Sequence, residues 1–221
     1  MGDPSTRSCS RSGSTLARVV LVAWAPVVLL ALASLMTSHW APLPTPERGS
    51  TVLAKGLATL RDARDPESPL GWTLWHVLYE DCRCSRRVVE QLQDRARQKH
   101  VHERCILVRS SDEQLDETAR GNGGELELLL RGHGVPCHLL SNTELERLLG
   151  IRAAPLFIVC DDEQRVRHVG GYTDRKQGLA LHDRETVARL RAGEEVSSRP
   201  VFGCGVASEL QDALDPLGIK Y

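Results

Sequence analysis

The stretch that decides the fold is Thr73-Leu74-Trp75-His76-Val77-Leu78-Tyr79, followed at once by Glu80-Asp81-Cys82-Arg83-Cys84-Ser85. The first seven residues are an apolar, β-branched and aromatic run of strand length, interrupted only by His76. From Ser85 the pattern changes to helical spacing, with Val88, Val89, Leu92 and Ala96 on one side and Arg, Gln and Asp on the other. Two thiols therefore stand at a strand-to-helix turn. The N-terminus of a helix carries partial positive charge and unsatisfied N–H groups, and both favour a thiolate. Downstream, Ala153-Ala154-Pro155 runs directly into a second apolar strand, Leu156–Cys160.

Between and beyond these anchors the spacing predicts further elements. Arg104–Val108 is the next strand, and a glycine-rich break at Gly121–Gly124 precedes a leucine-rich helix over Glu125–Arg131. Val135–Leu140 is a short extended run containing Cys137. Ser141 with Glu144 forms a capping box and Gly150 supplies the stop, so Asn142–Leu149 is a helix. Asp161–Gln164 is a turn, Arg165–Val169 an edge strand, and Gly170-Gly171 follow it. Asp183 is expected to cap a last domain helix through Arg191, with Gly193 beyond. A tail, Arg199–Gly205, leads to a short helix from about Ala207 to Leu214.

These motifs in this order resemble the thioredoxin-like superfamily over roughly Leu70 to Thr173. The dithiol follows the first central strand, a cis-proline loop opens the next sheet segment, and a turn, an edge strand and a glycine pair come after. Within the superfamily the chain is most similar to membrane-tethered TlpA or redoxin-type proteins, including the RedB group. The fold so implied is α/β, a central mixed sheet flanked by helices, plus one N-terminal transmembrane helix. One departure concerns the reaction: the family spacing is Cys-x-x-Cys, whereas a single residue separates Cys82 from Cys84.

The resemblance implies roles. Cys82 is the attacking thiol and Cys84 the resolving one, the two forming a disulfide in the oxidised state. A ring with one intervening residue is strained, and strain makes a disulfide more oxidising. Glu80 and Asp81 oppose thiolate formation, whereas Arg83, Arg86 and Arg87 favour it, three guanidiniums against two carboxylates. His76 takes the strand position at which thioredoxins carry a buried acid that moves protons for the second thiol, and a histidine there is expected to titrate near neutrality. The alternative is a strand residue facing solvent or the edge of the core. Pro155 corresponds to the cis-proline, whose loop lies against the dithiol and pairs with substrate backbone, and Ala154, small and just before it, leaves room for a broad range of partners.

The chain has 221 residues, 41% hydrophobic and 26% charged, with a formal net charge of −1. That composition is globular, gives room for one domain and an appendage, and offers no basic tract for nucleic acid. Val19–Met36 carries no charge, and Arg7, Arg11 and Arg18 precede it against Asp3. By the positive-inside rule the N-terminus stays in the cytoplasm and the bulk crosses, with Trp40 as an interfacial anchor. Residues 1–16 are then a cytoplasmic segment, 17–38 a signal anchor, 39–69 a linker, 70–193 the thioredoxin-like domain and 194–221 a tail. A cleaved signal peptide ending near Ala31-Leu32-Ala33 is the alternative, and both readings export the domain. In a diderm bacterium the domain is periplasmic.

Of seven cysteines, Cys9 stays inside and six are exported. Cys105 and Cys160 read as core residues. Cys204, between two glycines, is a partner for another exported thiol or a bridge holding the tail. The function expected is an extracytoplasmic thiol–disulfide oxidoreductase without cofactor or metal. Its partners are exported protein thiols or disulfides and an electron donor or acceptor. Two alternatives remain: a copper chaperone using Cys82 and Cys84 with Cys137, His138 and His133, and a redox-inactive binding module.

Overall fold

Strand β1, Trp72–Tyr79, is buried along almost its whole length, as the interior strand of a sheet must be when both faces are covered by helices. In the computed structural model, which describes residues 12–40, 42–62, 71–98, 100–109, 124–176 and 178–214, the chain forms two units, Met1–Ala41 and Pro42–Tyr221. The first contains helix α1, Ser12–Trp40, with side chains described over 17–32. Among the described residues no helix is long and apolar enough to cross a membrane. Residues 17–38, expected from sequence to span a membrane, lie within this helix, and its side chains are described only over 17–32. Arg7, Arg11, Cys9, the side chain of Trp40 and residues 110–123 lie outside the described residues.

In the second unit, α2 (Thr51–Asp62) precedes β1, and α3 (Arg83–Gln93) follows it. Then come β2 (Val101–Arg109), α4 (Glu125–Gly132), β3 (Cys137–Ser141) and α5 (Asn142–Leu149). The remainder is β4 (Ala153–Ala154), β5 (Leu156–Cys160), β6 (Val166–Gly170), α6 (Asp183–Arg191), β7 (Cys204–Gly205) and α7 (Ser208–Leu214). The main sheet has the order β3-β2-β1-β5-β6. β1, β2 and β3 are parallel, with His76 opposite Cys105 and Cys105 opposite Cys137. β5 runs antiparallel to β1, and β6 antiparallel to β5. This mixed α/β arrangement, with helices on both sheet faces, fits the thioredoxin-like expectation.

The alternation of β1 separates two cores. Trp75, Val77 and Tyr79 pack with Leu53 and Leu57 of α2 and Leu145 and Leu149 of α5. Leu74 and Leu78 pack with Val88, Val89 and Leu92 of α3, Leu126 and Leu130 of α4, and Val187 and Leu190 of α6. Cys105 and Cys160 are buried, as expected of core thiols. The capping box on α5 is complete: Glu144 N–H donates to Ser141 Oγ at 3.3 Å, and Ser141 N–H donates to the Glu144 carboxylate at 3.0 Å. Gly150 ends that helix in the left-handed conformation.

Two local readings are corrected. α3 stops at Gln93, leaving Ala96 exposed beyond it. Asp183 is the first residue of α6 rather than its cap; His182 stands at the cap position. The Asp183 carboxylate instead accepts both guanidinium N–H groups of Arg95, at 2.9 and 2.5 Å. A fully buried carboxylate needs such a charge-assisted pair more than a helix end needs its cap.

Candidate functional site

Cys82 occupies the N-cap position of α3 with extended backbone, and Cys84 lies in the first turn. The turn between strand and helix is pinned from two sides. Glu80 N–H donates to Val108 O at 3.0 Å, and Ser85 Oγ accepts the Tyr79 N–H at 2.9 Å. Beneath it Arg109, buried at the end of β2, bridges Glu80 at 2.7 Å and Glu127 of α4 at 3.0 Å. Gly124 makes that approach possible: a Cβ there would stand 1.5 Å from the Glu80 carboxylate and 2.9 Å from Arg109 Nη2.

Cys82 is only 1% exposed and Cys84 partly so. The Ala154–Pro155 bond is cis, and Cys82 Sγ lies 4.0 Å from Ala154 O. The structure therefore brings Cys82, Cys84, Ala154 and Pro155 together, with Pro155 and Cys84 lining one cavity beside Tyr172 and Phe202. Cys82 and Cys84 are thiols here, linked by a side-chain hydrogen bond.

The electrostatics differ from the sequence reading. The Cys82 thiol is pushed up from its ordinary value, first by a hydrogen bond with Cys204 and further by burial, while the bond from Cys84 pulls it down. Cys84 is pushed up strongly by its hydrogen bond to Cys82 and by burial, against Lys176 and Arg87. The expected guanidinium excess does not govern because Arg86 is held by Glu125 through two N–H donors, at 2.9 and 2.7 Å, out in solvent. A paired, exposed charge contributes little at a buried sulfur.

His76 is fully buried on the α3 side of the sheet, with Nδ1 2.7 Å from the Tyr172 hydroxyl. Burial lowers its pKa to about 4, against the weaker opposing fields of Asp183 and Glu103. It is therefore neutral at pH 7, and the near-neutral titration expected from sequence is not what its surroundings give. Its link to the site runs through Tyr172, whose ring lines the cavity beside Cys84.

The candidate copper ligands are not gathered. Cys137 points into the α3-side core and donates to Val135 O at 3.5 Å, whereas His138 lies against Trp75 with ring centroids 5.5 Å apart. His133 stands at the C-terminal end of α4. Among the described residues no group of three or more His, Cys, Asp or Glu is placed to hold a metal ion.

Cys204, expected to be either a partner for another exported thiol or a bridge holding the tail, lies beside the dithiol turn. Strand β7 pairs antiparallel with β4, placing Cys204 opposite Ala154 and Gly205 opposite Ala153. The tail is thus part of the site. Its sequence signal was the cysteine set between Gly203 and Gly205, glycines that let a backbone approach closely. A Cβ on Gly203 would fall 2.0 Å from Ala154 O and 2.5 Å from Pro155 Cδ.

No protein-family model matches the chain, and no curated protein matches it. Solved structures similar to it include an uncharacterized conserved protein from Geobacillus kaustophilus, 20% identical, covering 62% of this chain and 77% of that one at a TM-score of 0.47. A hypothetical protein from Sinorhizobium meliloti 1021 is 19% identical, covering 76% and 91% at 0.45. A thiol-disulfide isomerase from Corynebacterium glutamicum is 15% identical, covering 61% and 86% at 0.35. Scores of this size leave the fold to be read from the strand order itself.

Proposed function

We propose that this chain is a thiol–disulfide oxidoreductase of thioredoxin type, acting through Cys82 and Cys84 on thiols or disulfides of exported proteins. The observation that carries the reading is the meeting of two hydrogen-bonded thiols at the β1–α3 turn with the Ala154–Pro155 loop, Cys82 Sγ lying 4.0 Å from Ala154 O. In the oxidising direction for this protein, the Cys82 thiolate attacks a substrate disulfide. One S–S bond forms to Cys82, one breaks, and the departing substrate thiolate takes a proton. A second thiol of the site then displaces the remaining substrate thiolate, so two electrons pass from the protein to the substrate. An external thiol donor returns the site to its starting state, and the reverse sequence oxidises substrate thiols.

Because the Cys82 thiol is held above its ordinary value, the reactive thiolate is a minor form at neutral pH, and exchange accelerates as pH rises through the alkaline range. His76 is a positioning residue in this reading: it holds the Tyr172 hydroxyl. Ala154 and Pro155 form the wall against which substrate backbone lies.

Membrane attachment through α1 belongs to the same proposal. Its support is the uncharged Val19–Met36 run, the preceding Arg7, Arg11 and Arg18, and the exposed Val19, Leu21, Val22 and Trp24 on the helix. The enzymatic reading is tested by following reduction of a small aromatic disulfide by the full chain in the presence of a thiol donor. Wild type is expected to turn over and Cys82→Ser to be inactive, with Cys105→Ala and Cys160→Ala retaining activity. A wild type no faster than the thiol donor alone would leave the redox-inactive binding module standing.

A further inference from the structure

Cys204 stands in the site by construction. The tail is hydrogen-bonded into the domain at four points: Gly171 N–H to Arg199 O at 3.0 Å, Leu43 N–H to Val201 O at 2.9 Å, and Val206 and Ala207 N–H to Arg152 O at 2.8 and 3.2 Å. Gly171 has no room for a side chain, since a Cβ would lie 2.1 Å from Pro200 O. Residue 154 is the common point: its carbonyl lies 4.0 Å from Cys82 Sγ, and Cys204 is its strand partner. Cys82, Cys84 and Cys204 all pack on one apolar cluster.

We propose that Cys204 is the third exchange thiol of this site and that the oxidised protein carries a Cys82–Cys204 disulfide joining the tail strand to the cis-proline loop. The proposal rests on the exchange reading above. In the step it adds, the Cys204 thiolate attacks the Cys82 sulfur of a mixed disulfide. The Cys82–S to substrate bond breaks, the proton from Cys204 ends on the leaving substrate thiol, and the Cys82–Cys204 bond forms. With glutathione disulfide as oxidant, two protein thiols are oxidised and two glutathione thiols appear. The same attack on a Cys82–Cys84 bridge releases Cys84 as the thiol and needs no further oxidant.

Three considerations favour Cys204 as the final partner. A Cys82–Cys84 ring holds one intervening residue inside the first turn of α3, and strained bridges are the more oxidising ones. A bridge from residue 82 to residue 204 closes a long loop and restricts the unfolded chain more. Cys84 is also held in its protonated form by its bond to Cys82 and by burial, so little of it is the attacking thiolate at neutral pH.

The test uses the full chain, equilibrated with glutathione disulfide, alkylated and mapped by mass spectrometry. Wild type and Cys84→Ser are each expected to yield the peptide pair linked through Cys82 and Cys204. Cys204→Ser, with Cys204→Ala as a second variant in case the hydroxyl disturbs folding, is expected to lose that pair and retain glutathione on Cys82 or a Cys82–Cys84 bridge. Its redox midpoint is expected to move toward a more oxidising value. A wild type oxidised only between Cys82 and Cys84, with Cys204→Ser titrating as wild type does, would overturn the inference and leave the exchange reading intact. A wild type in which Cys82 takes up no disulfide at all would overturn the exchange reading itself.

Discussion

Replacing Arg109 by Met removes the cation that holds the dithiol turn from beneath. Arg109 is 2% exposed and bridges Glu80 at 2.7 Å and Glu127 at 3.0 Å, Glu127 being itself fully buried. The loss leaves two carboxylates facing each other across the site of the missing charge, one of them without solvent. Breaking a buried pair from one side costs about 3–5 kcal/mol, because the exposed Arg131 that also reaches Glu127 compensates little of the charge left inside. For a domain of this size 1 kcal/mol corresponds to about 2–4 °C in Tm, so the melting temperature should fall by roughly 6–20 °C. The assay is thermal unfolding of the full chain under reducing conditions, followed by circular dichroism. Arg131→Met is the control. Arg131 also contacts Glu127, but its side chain is 56% exposed, and solvent screening limits its contribution to about 0–1 kcal/mol. Equal losses for the two variants, or a drop below about 1 kcal/mol for Arg109→Met, would refute the burial argument.

His76 gives a pH dependence of definite sign. Its folded pKa of about 4 lies below the ordinary histidine value of 6.5, so the unfolded chain takes up the proton first and stability falls as pH drops from about 6.5 toward 4. The contribution is on the order of 3 kcal/mol, and His76→Phe should flatten part of the slope in urea midpoints measured across that window, with His168 supplying a similar remaining dependence. Ser141→Ala removes the α5 capping box and should cost about 0.5–2 kcal/mol in urea unfolding at neutral pH, without altering Cys82 alkylation. A reporter enzyme fused after Tyr221 should be active only in the exported compartment; cytoplasmic activity would sink the membrane-anchored reading.

Strand β1, the capping box and the cis-proline position were readable because each is a local signal. An apolar run, a Ser-x-x-Glu spacing and a proline opening a strand need no knowledge of distant chain. The boundaries of β2 were less so: it extends to Val101 and Arg109, since Arg109 is held in the core by carboxylates that lie far from it in sequence. The same holds for Asp183, read as a cap but drawn to Arg95. Cys204 was visible as a cysteine between glycines, yet its place opposite Ala154 depends on a two-residue strand pairing that no periodicity reveals. The acidity of Cys82 was misjudged for a related reason. Counting neighbouring arginines along the chain overlooks that Arg86 is bound to Glu125 and that the Cys82 thiol hydrogen-bonds with Cys204.

The claim that Cys82 works in exchange is tested most directly by the reduction potential of the full chain, titrated against a glutathione redox buffer with alkylation of Cys82 as the readout. A reversible two-electron transition, absent in Cys82→Ser, is expected between roughly −270 and −120 mV, the range of exchange catalysts. A transition below about −300 mV, where structural disulfides lie, or none at all, would contradict it.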